Sequence, residues 1–238
     1  MNFIIDQGNT FTKLALFEDD KLIISEIVKD FSKEKINSFL SGYSVKNGIL
    51  SSVRKEFDTR LLKKYKLIHL SHLTPIPLQI KYKTPETLGV DRIAAAIGAR
   101  VKNNKHNLLV IDLGTCVTFD FINSKNEYLG GAISPGFEMR FKALNYFTEK
   151  LPAVQFNKEE LKLIGNSTEN SIMSGVYSGL KHEIEGVIKT YISQYEDLKI
   201  VVTGGDINLF DLEPKNRIFA DEFLVLKGLN EILNYNEE

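Results

Sequence analysis

Short apolar runs alternate with amphipathic stretches along this chain, and they fall into two similar series. The first predicts strands over Phe3–Asp6, Thr12–Glu18 and Lys21–Val28, with the turn Asp19-Asp20 before the third. Ser32 then offers an N-cap to a helix over Ser32–Ser41, whose Ile36, Phe39 and Leu40 share one face. A strand over Gly48–Ser51, a helix over Ser52–Lys64 with Phe57, Leu61 and Leu62 inward, and a strand over Leu67–Leu70 complete the series. Pro75, Pro77 and Pro85 predict an irregular segment over Leu73–Leu88. Beyond it Gly89-Val90-Asp91-Arg92 opens a helix with Ile93, Ile97 and Val101 on one face, and the polar run Lys102–Asn107 reads as a surface link.

The second series begins with strands over Leu108–Asp112, Val117–Ile122 and Tyr128–Ile133, the last after a turn around Ser124–Glu127. Gly130–Gly136 reads as a glycine-rich turn into a helix with Phe137, Phe141, Leu144 and Phe147 on one face. A long helix spans about Ser167–Tyr195, with Ile172, Val176, Leu180, Ile184, Ile188 and Ile192 at four-residue spacing. A strand over Lys199–Thr203 runs into Gly204-Gly205-Asp206, and a helix over Asp221–Asn234 closes the chain. Strands mixed with helices place the chain in the α/β class.

The openings of the two series are near copies. NFIIDQGNTFTK (Asn2–Lys13) and LLVIDLGTCVTFD (Leu108–Asp120) each carry an apolar run ending in Asp, with Gly two residues later and a small polar residue behind it. Their separation is close to half the chain, so we expect two copies of one architecture, residues 1–104 and 105–238, facing each other across a cleft. In each, a strand buried on both faces delivers a carboxylate to a turn. Gly8 and Gly114 allow that turn φ > 0 and close approach to a bound group. Backbone N–H groups and the hydroxyls of Thr10, Thr115 and Thr118 suit a phosphate, and the carboxylate suits Mg²⁺ or its water. An isolated Asp-x-Gly is an ordinary β-turn; the repeat after buried strands favours the phosphate reading.

Composition narrows the classes. Lys+Arg of 30 against Asp+Glu of 31 leaves a net charge of −1, which gives no general attraction to nucleic acid or anionic membrane. No apolar run approaches the length of a membrane span, and no basic-then-apolar leader opens the chain. The single Cys116 excludes an internal disulfide and fits the cytoplasm. His69 and His72 lack further ligands nearby, and the Lys-rich run Arg54–Lys66 reads as the solvated face of a helix.

The chemistry that these residues suit is phosphoryl transfer, which depends mainly on positioning and electrostatics. Asp6 would stand beside a metal-bound phosphate, Lys13 would neutralise charge, and Asp112 with Thr115 would do related work. No P-loop pattern is present. In Gly89-Val90-Asp91-Arg92 the Asp is either a helix cap or a base, and the Arg either a surface charge or a ligand. Together they suit a small acidic alcohol, the Arg taking its carboxylate and the Asp its hydroxyl proton.

DQGNTFTK (Asp6–Lys13), LGVDR (Leu88–Arg92), DLGTCVTFD (Asp112–Asp120), GGAISPG (Gly130–Gly136) and TGGD (Thr203–Asp206) together resemble the ordered motif set of type III pantothenate kinases. The resemblance runs over nearly the whole chain. It implies two ribonuclease-H-like (actin-like ATPase) halves, each a mixed sheet with flanking helices, around a central cleft. It also implies a homodimer and phosphorylation of pantothenate by ATP in the first step of coenzyme A synthesis.

By position, Asp6, Gln7, Gly8, Asn9, Thr10, Phe11, Thr12 and Lys13 match the ATP phosphate loop, with Asp6 near Mg²⁺. Asp91 matches the proton acceptor, Gly89, Val90, Asp91 and Arg92 the pantothenate site, and Tyr82 an aromatic substrate contact. Asp112 resembles the ligand of a monovalent cation, K⁺ or NH₄⁺, Thr115 a second ATP contact, and Thr168 a substrate contact given across the dimer. The glycine pair before Asp206 resembles one that lies beside the nucleotide base and ribose. Thr84 stands where many members have Asn. The rival expectations are a kinase for another small alcohol or sugar, and a non-catalytic transcription accessory factor.

Overall fold

The computed structural model describes residues 1–29, 31–54, 65–103, 105–214 and 217–237. It contains two compact units: Met1–Leu108 with Asp120–Gly130 and Phe223–Glu238, and Leu109–Phe119 with Gly131–Glu222.

In the first unit, β1 (Asn2–Gln7), β2 (Thr12–Glu18), β3 (Lys21–Val28), β4 (Asn47–Ser52) and β5 (Lys66–His69) form one sheet in the order β3-β2-β1-β4-β5. Its first three strands are an antiparallel meander, while β4 and β5 continue parallel to β1, so the sheet is mixed. Phe3, Ile4 and Ile5 are fully buried, as a continuous apolar run with covered faces requires. The register sets Asp6 opposite Lys13 on β2 and Ser51 on β4. Ser32 caps α1 (Lys33–Phe39) as expected, its Oγ accepting from the backbone N of Lys35 at 3.2 Å. The helix expected over Ser52–Lys64 falls largely outside the described residues, with Phe57, Leu61 and Leu62 among those not described.

Helices α2 (Val90–Val101) and α5 (Leu224–Tyr235) pack together through small residues. A Cβ on Gly228 would come within 1.8 Å of the Ala94 carbonyl oxygen, so only glycine permits this approach. Ile93 and Ile97 are buried as expected, but Val101, in the last turn, is exposed.

The second sheet contains β6 (Gln79–Ile80), β7 (Asn107–Leu113), β8 (Cys116–Ile122), β9 (Glu127–Pro135), β10 (Leu198–Thr203) and β11 (Ile218–Ala220), in the order β11-β10-β7-β8-β9-β6. From β9 to β11 this repeats the third-second-first-fourth-fifth order of the first sheet. Two differences from the sequence reading stand out. The proline-containing segment contributes β6, which pairs parallel to β9 with Lys81 N donating to the Tyr128 carbonyl at 2.9 Å. Two residues carry no periodicity, and only the partner strand defines them as β. Likewise β9 continues to Pro135, so residues 130–135 are strand rather than turn, and Gly136 alone precedes α3 (Phe137–Tyr146). On α3, Phe137 and Phe141 are buried, whereas Phe147 follows the last turn and is exposed. The long helix is α4 (Thr168–Gln194). Among the described residues, no helix is long and apolar enough to cross a membrane.

Candidate active site

The first-unit site starts where β1 leaves the core. The Gly8 N–H donates to the Phe11 carbonyl at 3.0 Å, closing a tight turn with Asn9 and Thr10 exposed at its tip. Gly8 and Gly114 do not use positive φ, contrary to expectation. A Cβ on Gly8 would rest 3.4 Å from the Phe11 carbonyl, an ordinary contact, and one on Gly114 would crowd Asp112 Oδ1 at 3.3 Å. Phe11 is exposed, with the Lys29 ammonium 5.9 Å from its ring centroid. Gln7 is buried and accepts from the Ser52 hydroxyl at 2.8 Å. The buried hydroxyl of Thr12 has no hydrogen-bond partner among the described residues.

Arg54 was expected on a solvated helix face. Its guanidinium instead sits behind the turn, Nε donating to the Gly8 carbonyl at 2.9 Å and Nη2 to the Asn9 carbonyl at 3.3 Å. Turn carbonyls need donors, and Arg54 supplies them from a segment whose helical periodicity gave no sign of it.

Asp6 is the strained charge of this region. Burial pushes its carboxyl up from 3.8 to about 6; Lys13 and the Ser51 hydroxyl pull it down, and the like charge of Asp91 pushes it further up. Asp6, Lys13 and Asp91 are thus brought together. Among the described residues no three His, Cys, Asp or Glu side chains cluster as a metal cage. Mg²⁺ with phosphate needs only one or two carboxylates, and an under-compensated Asp6 beside Asp91 fits that need.

Asp91 is not the helix cap. Gly89 occupies the cap position without a side-chain hydrogen bond, and Asp91 lies in the first turn, its Oδ1 accepting from Arg92 N at 2.8 Å. Val90, the first residue of α2, is half-buried. Arg92 is not a surface charge either. It is buried, and its Nε and Nη2 donate to Oδ1 of the fully buried Asp120 at 2.9 and 2.6 Å. The Tyr128 hydroxyl donates to the same oxygen at 2.5 Å. Tyr82 packs edge-on against Tyr128, ring centroids 6.2 Å apart. Gly130, at φ +107, seats the Tyr82 ring: a Cβ there would lie 3.2 Å from it. Thr84 keeps its loop bonded, its Oγ1 accepting from the Thr87 hydroxyl at 2.8 Å. Asp120 and Tyr128 were not singled out from the sequence.

In the second unit, Asp112 is half-buried near the end of β7 and Thr115 is exposed on the following turn. The Gly114 N–H donates to the Cys116 carbonyl at 3.1 Å. Two glycine-containing segments hold this turn. Gly136 N donates to the Thr115 carbonyl at 3.2 Å, and Asp206 N to the Leu113 carbonyl at 3.0 Å. Burial, with the nearby charge of Glu138, raises the Asp206 pKa. Thr168 begins α4, away from that turn in sequence, and lines an apolar cavity of about 680 Å³ with Pro135, Ala143, Leu144, Phe147 and Ile172.

The fold is shared with the actin-like ATPases and ROK kinases. A ROK family glucokinase from Streptomyces griseus, solved with glucose and AMPPNP, superposes with a TM-score of 0.55 over 98% of each chain at 12% identity. A conserved Campylobacter jejuni protein of the Baf transcriptional-activator family superposes with a TM-score of 0.61 over 99% of this chain and 98% of that one, at 23% identity. The class is therefore a two-sheet α/β protein that shares its fold with these structures. A family model described as type III pantothenate kinase matches residues 2–190. The type III pantothenate kinase of Phocaeicola vulgatus is 46% identical over 242 aligned positions, covering 100% of both chains. The chain belongs to the type III pantothenate kinase family, and it is a kinase of coenzyme A biosynthesis.

Proposed function

We propose that this chain transfers the γ-phosphoryl group of ATP to the primary hydroxyl of pantothenate, with Asp91 accepting the hydroxyl proton. The supporting observation is the convergence of Asp6, Lys13 and Asp91 beside the turn at Gly8. Residues Asp6–Lys13 form the ATP phosphate loop in this reading. The N–H groups of its exposed tip meet phosphate oxygens, and Lys13 offsets their charge. Mg²⁺, held with the nucleotide beside Asp6, would supply positive charge to the transferring group. As Asp91 takes the proton, the hydroxyl oxygen bonds to the γ-phosphorus, and the bond to the β–γ bridging oxygen breaks to release ADP.

Tyr82, Gly89, Val90 and Arg92 form the pantothenate site, with Arg92 receiving the carboxylate. Asp112 holds the monovalent cation, K⁺ or NH₄⁺, and Thr115 makes a second ATP contact. Thr168 reaches pantothenate from the other subunit of a homodimer. Support for that assembly comes from Tyr146, Phe147, Leu163 and Ile164 of the second unit, all strongly exposed. Residues 1–104 and 105–238 are read as duplicated halves, on the strength of the repeated strand order. The enzyme works in the cytoplasm and needs neither nucleic acid nor membrane.

Release of ADP with ATP and Mg²⁺ tests this directly. Turnover should require pantothenate and collapse when K⁺ is replaced by Na⁺. Turnover with pantothenate that ignores the cation removes the role of Asp112. A folded protein with no pantothenate-dependent turnover in K⁺ or NH₄⁺ overturns the substrate.

A further inference from the structure

We propose that Asp120, together with the Tyr128 hydroxyl, is a positioning residue that turns Arg92 into a receptor for the substrate's carboxylate and so makes the site prefer an acid to its neutral counterpart. The inference rests on the reading of Arg92 as the pantothenate-carboxylate ligand. A guanidinium has five N–H donors in a rigid plane. Here Nε and one Nη2 hydrogen both end on Asp120 Oδ1, which occupies one edge of that plane. One Nη1 hydrogen and the second Nη2 hydrogen form the end-on pair of donors that grips a carboxylate bidentately. Asp120 thus fixes the direction in which that end points.

Burial makes the arrangement strict. The side chains of Arg92 and Asp120 are only 8% and 1% exposed, so bulk water cannot take over either role. Burial works against the charge on Arg92, but the hydrogen bonds and charge of Asp120, helped by Tyr128 and by a hydrogen bond with Tyr82, outweigh it and raise its pKa. Burial and the Asp120 charge push the Tyr128 phenol up, so it stays protonated and acts as a donor. Tyr128 therefore fixes the carboxylate that fixes the guanidinium. Its ring also meets Tyr82 edge-on, tying the aromatic wall of the site to the same network.

The test compares pantothenate with the alcohol in which a hydroxymethyl group replaces its carboxylate. With Asp120→Asn, KM for pantothenate should rise roughly tenfold or more, as for a lost charge-assisted hydrogen bond. KM for the alcohol and for ATP should stay within about twofold. Tyr128→Phe keeps the ion pair and should shift the pantothenate KM in the same direction by about threefold. If Asp120→Asn does not fold, Tyr128→Phe decides alone. Equal effects on acid and alcohol, or no effect on either, overturn the proposal and leave a structural role only. Arg92→Gln separates the two levels of the argument. If it leaves the pantothenate KM unchanged, the reading of Arg92 fails and takes this inference with it. If it raises that KM while the Asp120 and Tyr128 variants do not, only the inference fails.

Discussion

Lys13 stands directly across the β1–β2 ladder from Asp6, yet the Asp6 carboxyl remains pushed up to about 6. A single cross-strand ammonium does not offset burial combined with the like charge of Asp91. The fold therefore holds Asp6 at a cost that a bound cation and phosphate would relieve, which is a stability–function trade-off at one residue.

The sign of the pH dependence follows. Below the unfolded value near 3.8 the carboxyl is protonated in both states; as pH rises through about 6, the stability associated with keeping that proton is lost. Asp6→Asn mimics the protonated form. It should unfold at a higher temperature than the parent at pH 8, by at most about 3 kcal/mol of stability. The margin should vanish as pH falls toward 4. Thermal denaturation at both pH values checks this, and an Asn variant no more stable at pH 8 would contradict it.

The same group predicts the acid limb of catalysis. In the free enzyme kcat/KM for ATP should fall as pH drops through about 6, because protonated Asp6 no longer favours the metal–phosphate group. Saturating Mg²⁺ and ATP stabilise the ionised form, so the corresponding limb of kcat should lie at lower pH. A pH–rate series at low and saturating ATP tests it; limbs that coincide would count against Asp6.

Asp91→Asn should reduce kcat by roughly a hundredfold or more, within the range for loss of a general base. Circular dichroism should show the fold intact, because Asp91 does not cap α2. Removing its charge should also lower the Asp6 pKa, moving the acid limb downward. A fully active Asn variant would remove Asp91 from its role.

Much of this was legible in the chain because buried strands write their own pattern. Phe3-Ile4-Ile5 and Leu108-Leu109-Val110-Ile111 are apolar runs, and each proved buried throughout. The repeated strand order of the two sheets matches the repeated Asp-x-Gly openings. What stayed hidden depends on pairing between distant segments. Arg92 meets Asp120 across 28 positions, and Arg54 meets Gly8 across 46. No local period encodes either contact. Charged residues in such places read by default as solvent-facing, which is why Arg54 and the bland reading of Arg92 both needed correction. Gly8 and Gly114 are the glycines whose motifs suggest positive φ, whereas those of the two sites that have it are Gly130 and Gly204.

Arg54→Ala should loosen the turn at Gly8, because the Gly8 and Asn9 carbonyls lose their side-chain donors. KM for ATP should rise by roughly tenfold, and KM for pantothenate should change little. Arg54→Lys should recover only part of the loss, since one ammonium does not reproduce the planar fork. Equal effects on both substrates would indicate general destabilisation instead.

Gly130→Ala tests the seat of the aromatic wall. At φ +107 a Cβ is strained in any case, and here it would also press within 3.2 Å of the Tyr82 ring. The strain should cost about 1–3 kcal/mol, seen as a lower unfolding midpoint in urea. The displaced ring should raise KM for pantothenate while KM for ATP holds, because among the described residues the atoms nearest that Cβ belong to Tyr82. Tyr82→Leu provides the comparison, as it removes the aromatic wall without backbone strain. If Gly130→Ala lowers stability but leaves the pantothenate KM at the parent value while Tyr82→Leu raises it, the ring re-seats without its glycine, and Gly130 serves the strand alone.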